Sequence, residues 1–172
     1  MSSYVGVDLS TRFVDLVKLD EESDRAEWVR VPLVGENAID RARSYRAPWI
    51  DPYGGENHPI PSHFWDDVIL CALEDPAGRG DTRKIARVQG VVIATIPARV
   101  QVWTLQPAEW RKACGLPGNC NKDAVREFVY QTYSYVFEKQ LREVGEWPQD
   151  ACDAYAVAYA ARSINQTQEE AA

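Results

Sequence analysis

The stretch PQDACDAYAVAYA, at residues 148–160, opens the last apolar segment of a chain of 172 residues. Proline is a common start signal for helices, and Pro148 therefore predicts a helix over residues 150–164. Asp150 and Asp153 lie three residues apart, so both carboxylates share one face within a turn of that helix. Alanine occupies six of the positions from 151 to 161. A helix with such small side chains can approach a neighbouring sheet closely and would carry two acidic groups to it.

Upstream segments predict the sheet itself. Five strands are predicted, at residues 4–9, 12–19, 27–33, 67–73 and 100–105. The fourth is a continuous apolar run, which is typical of a strand buried on both faces. Further helices are predicted at residues 37–47, 82–95 and 123–141, the last two from apolar residues at helical spacing. This order of elements predicts an α/β protein with a single mixed five-stranded sheet flanked by helices.

Length and composition predict one domain that spans residues 1–172. Hydrophobic residues make up 45% of the chain and charged residues 26%, which excludes a disordered or fibrous protein. Residues 47–64 are rich in proline and glycine and predict an irregular insertion, and residues 165–172 predict a short, frayed polar tail. No segment is apolar enough to span a membrane, and residues 1–6 lack a secretory signal. We therefore expect a cytoplasmic protein.

Two further acidic residues stand where such a fold places functional groups. Asp8 lies in the middle of the first apolar strand, where a buried charge is costly unless a group such as a metal ion compensates for it. Glu74 ends the fourth predicted strand and can project from its terminus. Each acid also has a structural interpretation. Asp8 could be a turn residue and Glu74 a solvated strand end. Asp150 could be the N-cap of the final helix, and Asp153 could interact favourably with its dipole. Four carboxylates from three distant segments favour a functional site.

At these residues the chain resembles the RuvC-type Holliday junction resolvases, which have a ribonuclease H-like fold. The matching motifs are GVDLS at residues 6–10, ALE at 72–74, ARVQGVVIA at 86–94, PAEWRKACGLPGNCNKDAV at 107–125 and PQDACDAYAVAYA at 148–160. The last is the most specific, because it meets the family pattern D-A-x-D-A-x-A-x-A. The resemblance covers most of the chain except residues 35–64. That insertion and the small size are similar to divergent phage-encoded members, so the resemblance implies a bacterial or virus-infected bacterial cell.

The resemblance implies a metal-dependent endodeoxyribonuclease. Its metal ligands and catalytic acids would be Asp8, Glu74, Asp150 and Asp153. Mg²⁺ is the implied cofactor, with Mn²⁺ as a substitute and two ions in each active site. Two such ions can activate a water molecule and stabilise the leaving oxygen during phosphodiester hydrolysis, and Mg²⁺ prefers oxygen ligands.

Basic residues are concentrated in one part of an otherwise acidic chain. The formal net charge of −7 argues by itself against nonspecific nucleic-acid binding, but residues 78–122 contain eight basic residues and two acidic ones. By resemblance, Lys122 is a catalytic residue near the cut phosphate, and a second basic residue of the family matches Arg111 or Lys112. The family's aromatic residue after the fourth-strand Glu is missing, and Arg79 or Arg83 is its candidate replacement. The predicted DNA-binding residues are Arg79, Arg83, Lys84, Arg87, Arg111, Lys112 and Lys122.

Branched DNA, above all the four-way junction, is the predicted partner, together with a second copy of the chain. A junction has two equivalent strands to cut, and one chain carries one set of carboxylates, so a two-fold homodimer is predicted. Phe128, Tyr135 and the helix that contains Gly90 are candidate dimer contacts, with core packing as their alternative role.

Two other functions stay open at this point: a flap or fork nuclease of the same fold, and a DNA-structure binding protein that does not cleave. An actin-like ATPase or sugar kinase would need a glycine-rich phosphate loop, and none follows Asp8 or Asp150. The sequence does not distinguish junctions from forks, and it gives neither the sequence preference at the cut nor the role of residues 35–64.

Overall fold

The first strand, β1 (Ser3–Leu9), forms the centre of the sheet, and all seven of its residues are buried. The computed structural model describes residues 2–22, 25–50, 60–61, 63–76, 82–133 and 148–171. Its other strands are β2 (Phe13–Asp20), β3 (Ala26–Pro32), β4 (Val68–Glu74) and β5 (Gln101–Leu105). They lie in the order β3-β2-β1-β4-β5. The pairs β1–β2 and β2–β3 are antiparallel, whereas β1–β4 and β4–β5 are parallel. The predicted mixed five-stranded sheet is confirmed.

Helices cover both faces of this sheet. The five that the structure describes are α1 (Ala38–Ile50), α2 (Thr82–Thr95), α3 (Pro107–Ala113), α4 (Lys122–Thr132) and α5 (Gln149–Glu170). Residues of α1 and α2 pack with Val5 and Val7 on one face. The other three helices pack on the opposite face, which carries Tyr4 and Ala72. This arrangement confirms the predicted α/β class. None of the helices in the described ranges combines the length and apolar character needed to cross a membrane.

Several helices differ from their predicted bounds. α5 continues to Glu170, so most of the tail predicted to fray is helical. α1 extends to Ile50 and so enters the segment predicted to be irregular, most of which lies outside the described residues. α4 ends at Thr132, and residues 134–141 of the predicted helix also lie outside them.

The short helix α3 is missing from the prediction. Its seven residues span only two turns, too few for an apolar periodicity to show. Its start signal is nevertheless present in the sequence, because Gln106 and Glu109 form a capping box around Pro107.

One candidate dimer contact, Phe128, is partly buried against the core. The ring of Phe128 lies edge-on to that of Tyr159, with centroids 5.1 Å apart, and Phe128 also packs against buried residues of α5. The alternative role of Phe128, core packing, is therefore observed, and its role as a dimer contact stays a prediction. Tyr135 lies outside the described residues. On α2, the helix that contains Gly90, the side chain of Ile93 is 37% exposed.

Candidate active site

Three predicted site residues meet at one edge of the sheet. Asp8 lies near the end of β1, and Asp150 and Asp153 lie in the first turns of α5. One carboxylate oxygen of each lies within 4.8 Å of the others. Asp8 and Asp153 are buried, at 3% and 6% exposure, whereas the Asp150 side chain is one-third exposed. The cluster is therefore buried at Asp8 and Asp153 and open to solvent at Asp150.

The positions of two of these acids exclude their structural interpretations. Asp8 is paired with Asp15 in the β1–β2 ladder, so it is a strand residue and not part of the turn that follows. The N-cap of α5 is Pro148, and Asp150 is the second residue of the helix. The interpretation of Asp150 as an N-cap is therefore wrong.

Glu74 is the last residue of β4, next to β1 in the sheet, and it is only 7% exposed. Its Oε2 accepts a hydrogen bond of 3.1 Å from Nε1 of Trp110, a fully buried residue of α3. This burial excludes a solvated strand end. Glu74 lies outside the group of three acids within 4.8 Å, but its charge helps to raise the pKa of Asp153. In the β1–β4 ladder Gly6 is paired with Ala72, so Glu74 lies on the same face of the sheet as Asp8.

The pKa of Asp153 is raised, and burial is the largest cause. The charges of Glu74 and Asp150 raise it further, while a hydrogen bond of 2.9 Å from Gln149 Nε2 and the charge of Lys122 lower it. Negative charge has thus been brought together in a place where water cannot fully solvate it. A cation would relieve this unfavourable energy.

The donor set fits a hard divalent cation. All the groups that converge here are carboxylates, and oxygen ligands of this kind suit Mg²⁺ and Mn²⁺. Lys122, the first residue of α4, places its Nζ 4.0 Å from Oδ2 of Asp153, and its side chain is 68% exposed. The ammonium group of Lys122 therefore lies beside the acids, and its side chain is largely exposed.

Sequence reasoning missed a second group of residues on the same face of the sheet. Asp15 of β2 is 1% exposed, and Arg30 of β3 donates to both of its oxygens, from Nε at 2.9 Å and from Nη2 at 3.0 Å. Trp28 donates to the same carboxylate from Nε1 at 2.8 Å. Nη2 of Arg30 also lies 3.8 Å from Oδ2 of Asp150. A signal existed, because Asp15 interrupts the apolar strand FVDLVKLD as Asp8 interrupts β1.

Three predicted DNA-binding residues, Arg83, Lys84 and Arg87, are exposed on α2. This helix packs on the sheet face opposite to that of the acids. Five residues join its last turn to β5, which starts at the far edge of the sheet, and its 14 residues are about 21 Å long. The first turn of α2 therefore returns to the edge that carries the acids.

The remaining predicted basic residues differ in their surroundings. Arg111 is half-buried: its guanidinium lies 5.0 Å from the ring centre of Trp110 and its Nη1 donates to Gly118 O at 3.2 Å. Lys112, the other of these two alternatives, is exposed. Arg79 lies outside the described residues.

Comparison with known proteins adds to this geometry. No protein-family model matches the chain. No curated protein matches it either. Among solved structures, RuvC of Thermus thermophilus aligns over 95% of both chains, with a TM-score of 0.65 and 18% sequence identity. The chain has the RuvC fold. T. thermophilus RuvC in complex with Holliday junction substrate aligns over 98% of this chain and 97% of its own, with a TM-score of 0.66 and 16% identity.

A third structure, the fowlpox virus Holliday junction resolvase, aligns over 98% of both chains with a TM-score of 0.42 and 13% identity. The likeness to RuvC confirms the ribonuclease H-like fold that the sequence resemblance implied.

Proposed function

We propose that the chain is a metal-dependent, structure-selective DNA endonuclease that resolves four-way junctions by paired nicks. The observation that carries this proposal is the cluster of Asp8, Asp150 and Asp153 on a RuvC fold. The likeness to RuvC in complex with Holliday junction substrate supports branched DNA as the substrate. In this proposal residues 1–172 act as one nuclease domain.

The metal would be held by Asp8, Glu74, Asp150 and Asp153, with Mg²⁺ or Mn²⁺ as the ion and two ions in each site. When bound, such ions supply activation of a water molecule and stabilisation of the leaving oxygen. The protein holds the carboxylate ligands in position through hydrogen bonds. Gln149 holds one oxygen of Asp153, and Trp110 holds one oxygen of Glu74.

Lys122 is the proposed catalytic cation. Its ammonium group lies beside the acids but is largely exposed, so it can contact a phosphate that approaches from solvent. Positive charge at that point stabilises the negative charge that develops on the phosphate during cleavage.

Phosphate contacts away from the cut would come from exposed basic residues. Arg83, Lys84 and Arg87 on α2 and Lys112 on α3 have exposed side chains. Arg79 precedes α2 in the sequence and is part of the same proposal. Local positive charge of this kind allows a chain with a net charge of −7 to bind a polyanion.

The experiment compares labelled four-way junction, flap, fork and linear duplex in Mg²⁺, Mn²⁺ or EDTA, with every strand resolved on a gel. We expect paired nicks on opposing strands of the junction, in metal only, and none with Asp153→Asn. Nicks confined to flaps or forks would instead indicate a nuclease for those structures. Binding without any nick would indicate a DNA-structure binding protein. The homodimer and the cytoplasmic location stay predictions from the sequence.

A further inference from the structure

The charged pair of Asp15 and Arg30 has no place in the mechanism above, yet it adjoins the acid cluster. The two residues face each other in the β2–β3 ladder, and Asp15 faces Asp8 in the β1–β2 ladder. All three side chains therefore lie on one face of the sheet. A buried ion pair seldom stabilises a protein more than apolar residues of the same volume would, so stability alone does not explain this one.

Arg30 is held firmly on its inner side. Its Nε and Nη2 form a two-pronged contact with Asp15, whose Oδ1 also accepts from Trp28. Its guanidinium carbon lies 4.7 Å from the ring centre of Phe13 and 5.6 Å from that of Trp28. These contacts fix the plane of the guanidinium before any ligand arrives.

The outer side of Arg30 is available. Its side chain is 27% exposed, and Nη2 lies 3.8 Å from Oδ2 of Asp150, which is longer than a hydrogen bond. Among the described residues, Nη1 donates no hydrogen bond. A guanidinium offers five N–H donors, and its geometry matches two oxygens of a phosphate.

Arg30 and Lys122 stand beside different acids of the cluster. Arg30 lies next to Asp150, and Lys122 lies next to Asp153. A phosphodiester backbone that crosses the acids would therefore meet the rigid Arg30 beside Asp150 and the flexible Lys122 beside Asp153.

We propose that Arg30 is a substrate-binding residue that donates to a phosphate of the DNA strand beside the acid cluster, with Asp15 as the positioning residue that aims it. This inference rests on the proposed function, since it requires a DNA substrate. Removal of Arg30 then costs one phosphate contact. One charge-assisted hydrogen bond corresponds to about tenfold in affinity, and one neutralised phosphate to about one unit of the slope of log K against log salt.

The test measures binding of the full chain to labelled four-way junction in Ca²⁺ over a series of salt concentrations. The variants are Arg30→Gln, Arg30→Lys and the double variant Asp15→Asn/Arg30→Gln. The double variant leaves no buried charge unpaired and so guards against a loss of folding. Arg25→Gln is the matched control, because Arg25 is exposed and lies five residues before Arg30, roughly 16 Å away along the strand.

We expect Arg30→Gln and the double variant to bind about tenfold more weakly with a slope smaller by about one. Arg30→Lys should keep the slope but not the full affinity, and Arg25→Gln should match the wild type. Weaker binding with an unchanged slope, or wild-type binding by the double variant, would overturn the assignment of Arg30 and leave the nuclease proposal intact. A wild-type chain that neither binds nor nicks branched DNA would overturn both proposals.

Discussion

Gly6 of β1 lies against the backbone of Ala158 in α5, with no space for a side chain between them. A Cβ atom on Gly6 would overlap the Ala158 amide nitrogen and the Ala154 carbonyl oxygen, and it would lie 3.0 Å from the Ala158 Cα. The helix therefore rests directly on the strand. Asp8 lies two residues further along β1 on the same face, so this close approach brings the first turns of α5 to Asp8.

Gly6→Ala should therefore lower both stability and activity. The added methyl group must push α5 away from β1, at a cost of about 2 to 3 kcal/mol in the free energy of unfolding, because closely packed backbone cannot yield. Gly90→Ala is the control, since a Cβ there meets nothing within 4 Å in the middle of α2. That variant should gain about 0.5 to 1 kcal/mol. Urea unfolding measures both changes, and equal effects of the two substitutions would contradict the close contact.

Much of the fold could be predicted because its signals are local. The alternation or continuity of apolar residues predicts every strand, and the alanines of α5 predict its close contact with the sheet. The bounds were harder to predict. The last turns of α5 are polar but contain contacts such as the 2.8 Å hydrogen bond from Asn165 Nδ2 to Glu169 Oε1, which polarity alone does not reveal.

The candidate site was predictable in part for the same reason. Asp150 and Asp153 share a helical turn, and Asp8 is conspicuous in an apolar strand. The pair of Asp15 and Arg30 depends on the register of β2 against β3, and no local spacing encodes that register. The sequence pattern therefore does not predict which residues of β2 and β3 are paired.

Neutral substitution of each acid should abolish nicking. The variants are Asp8→Asn, Glu74→Gln, Asp150→Asn and Asp153→Asn, and each removes charge while it keeps the shape of the side chain. Binding to four-way junction in Ca²⁺ or EDTA should remain close to that of the wild type. Glu127→Gln, an exposed residue of α4, serves as the control and should nick normally. Full activity of Asp150→Asn would remove Asp150 from the set of ligands.

The same acids should respond to metal in the absence of DNA. Because burial and neighbouring charge raise the pKa of Asp153, Asp153→Asn should stabilise the metal-free protein. Mg²⁺ at 100 times its Kd should stabilise the wild type by about 2.7 kcal/mol, and Asp153→Asn by much less. Thermal melting with and without Mg²⁺ separates the two effects. An equal shift in both proteins would place the ion elsewhere.

Trp110 should act through Glu74. Trp110→Phe keeps most of the buried volume but removes the hydrogen bond from Nε1 to Glu74 Oε2. Loss of a partner that orients a metal ligand typically costs 10- to 100-fold in metal affinity or activity, so we expect a decrease of about that size in nicking. The control is Trp103→Phe on β5, a partly buried indole outside the acid cluster. Recovery of full activity at high Mg²⁺ would indicate that the defect lies in metal affinity, whereas unchanged activity at every Mg²⁺ concentration would contradict the role.

The first turns of α2 should contribute phosphate contacts. Arg83→Ala or Lys84→Ala should weaken binding to all branched substrates by similar factors and reduce the salt slope by about one unit per contact. Arg25→Ala provides a control that removes one positive charge before β3. An unchanged affinity together with an unchanged slope would exclude α2 from the interface with DNA.

A homodimer should form through α2. Resolution of a junction needs two active sites that face it in register. The described part of each chain holds one acid cluster, so an isologous pair supplies the second site without additional sequence. Phe128 packs against the core and Tyr135 lies outside the described residues, so Ile93, which is 37% exposed on α2, is the contact candidate chosen for substitution. Ile93→Asp should therefore shift the protein towards monomer and convert paired nicks into single nicks, because a charge in an apolar interface loses its hydration.

Ile39→Asp on α1, whose side chain is 52% exposed, is the matched control and should leave the dimer unchanged. Light scattering with and without junction DNA measures the assembly. A wild-type monomer at micromolar concentration in both conditions would contradict the dimer and favour a nuclease that makes one nick in a flap or fork.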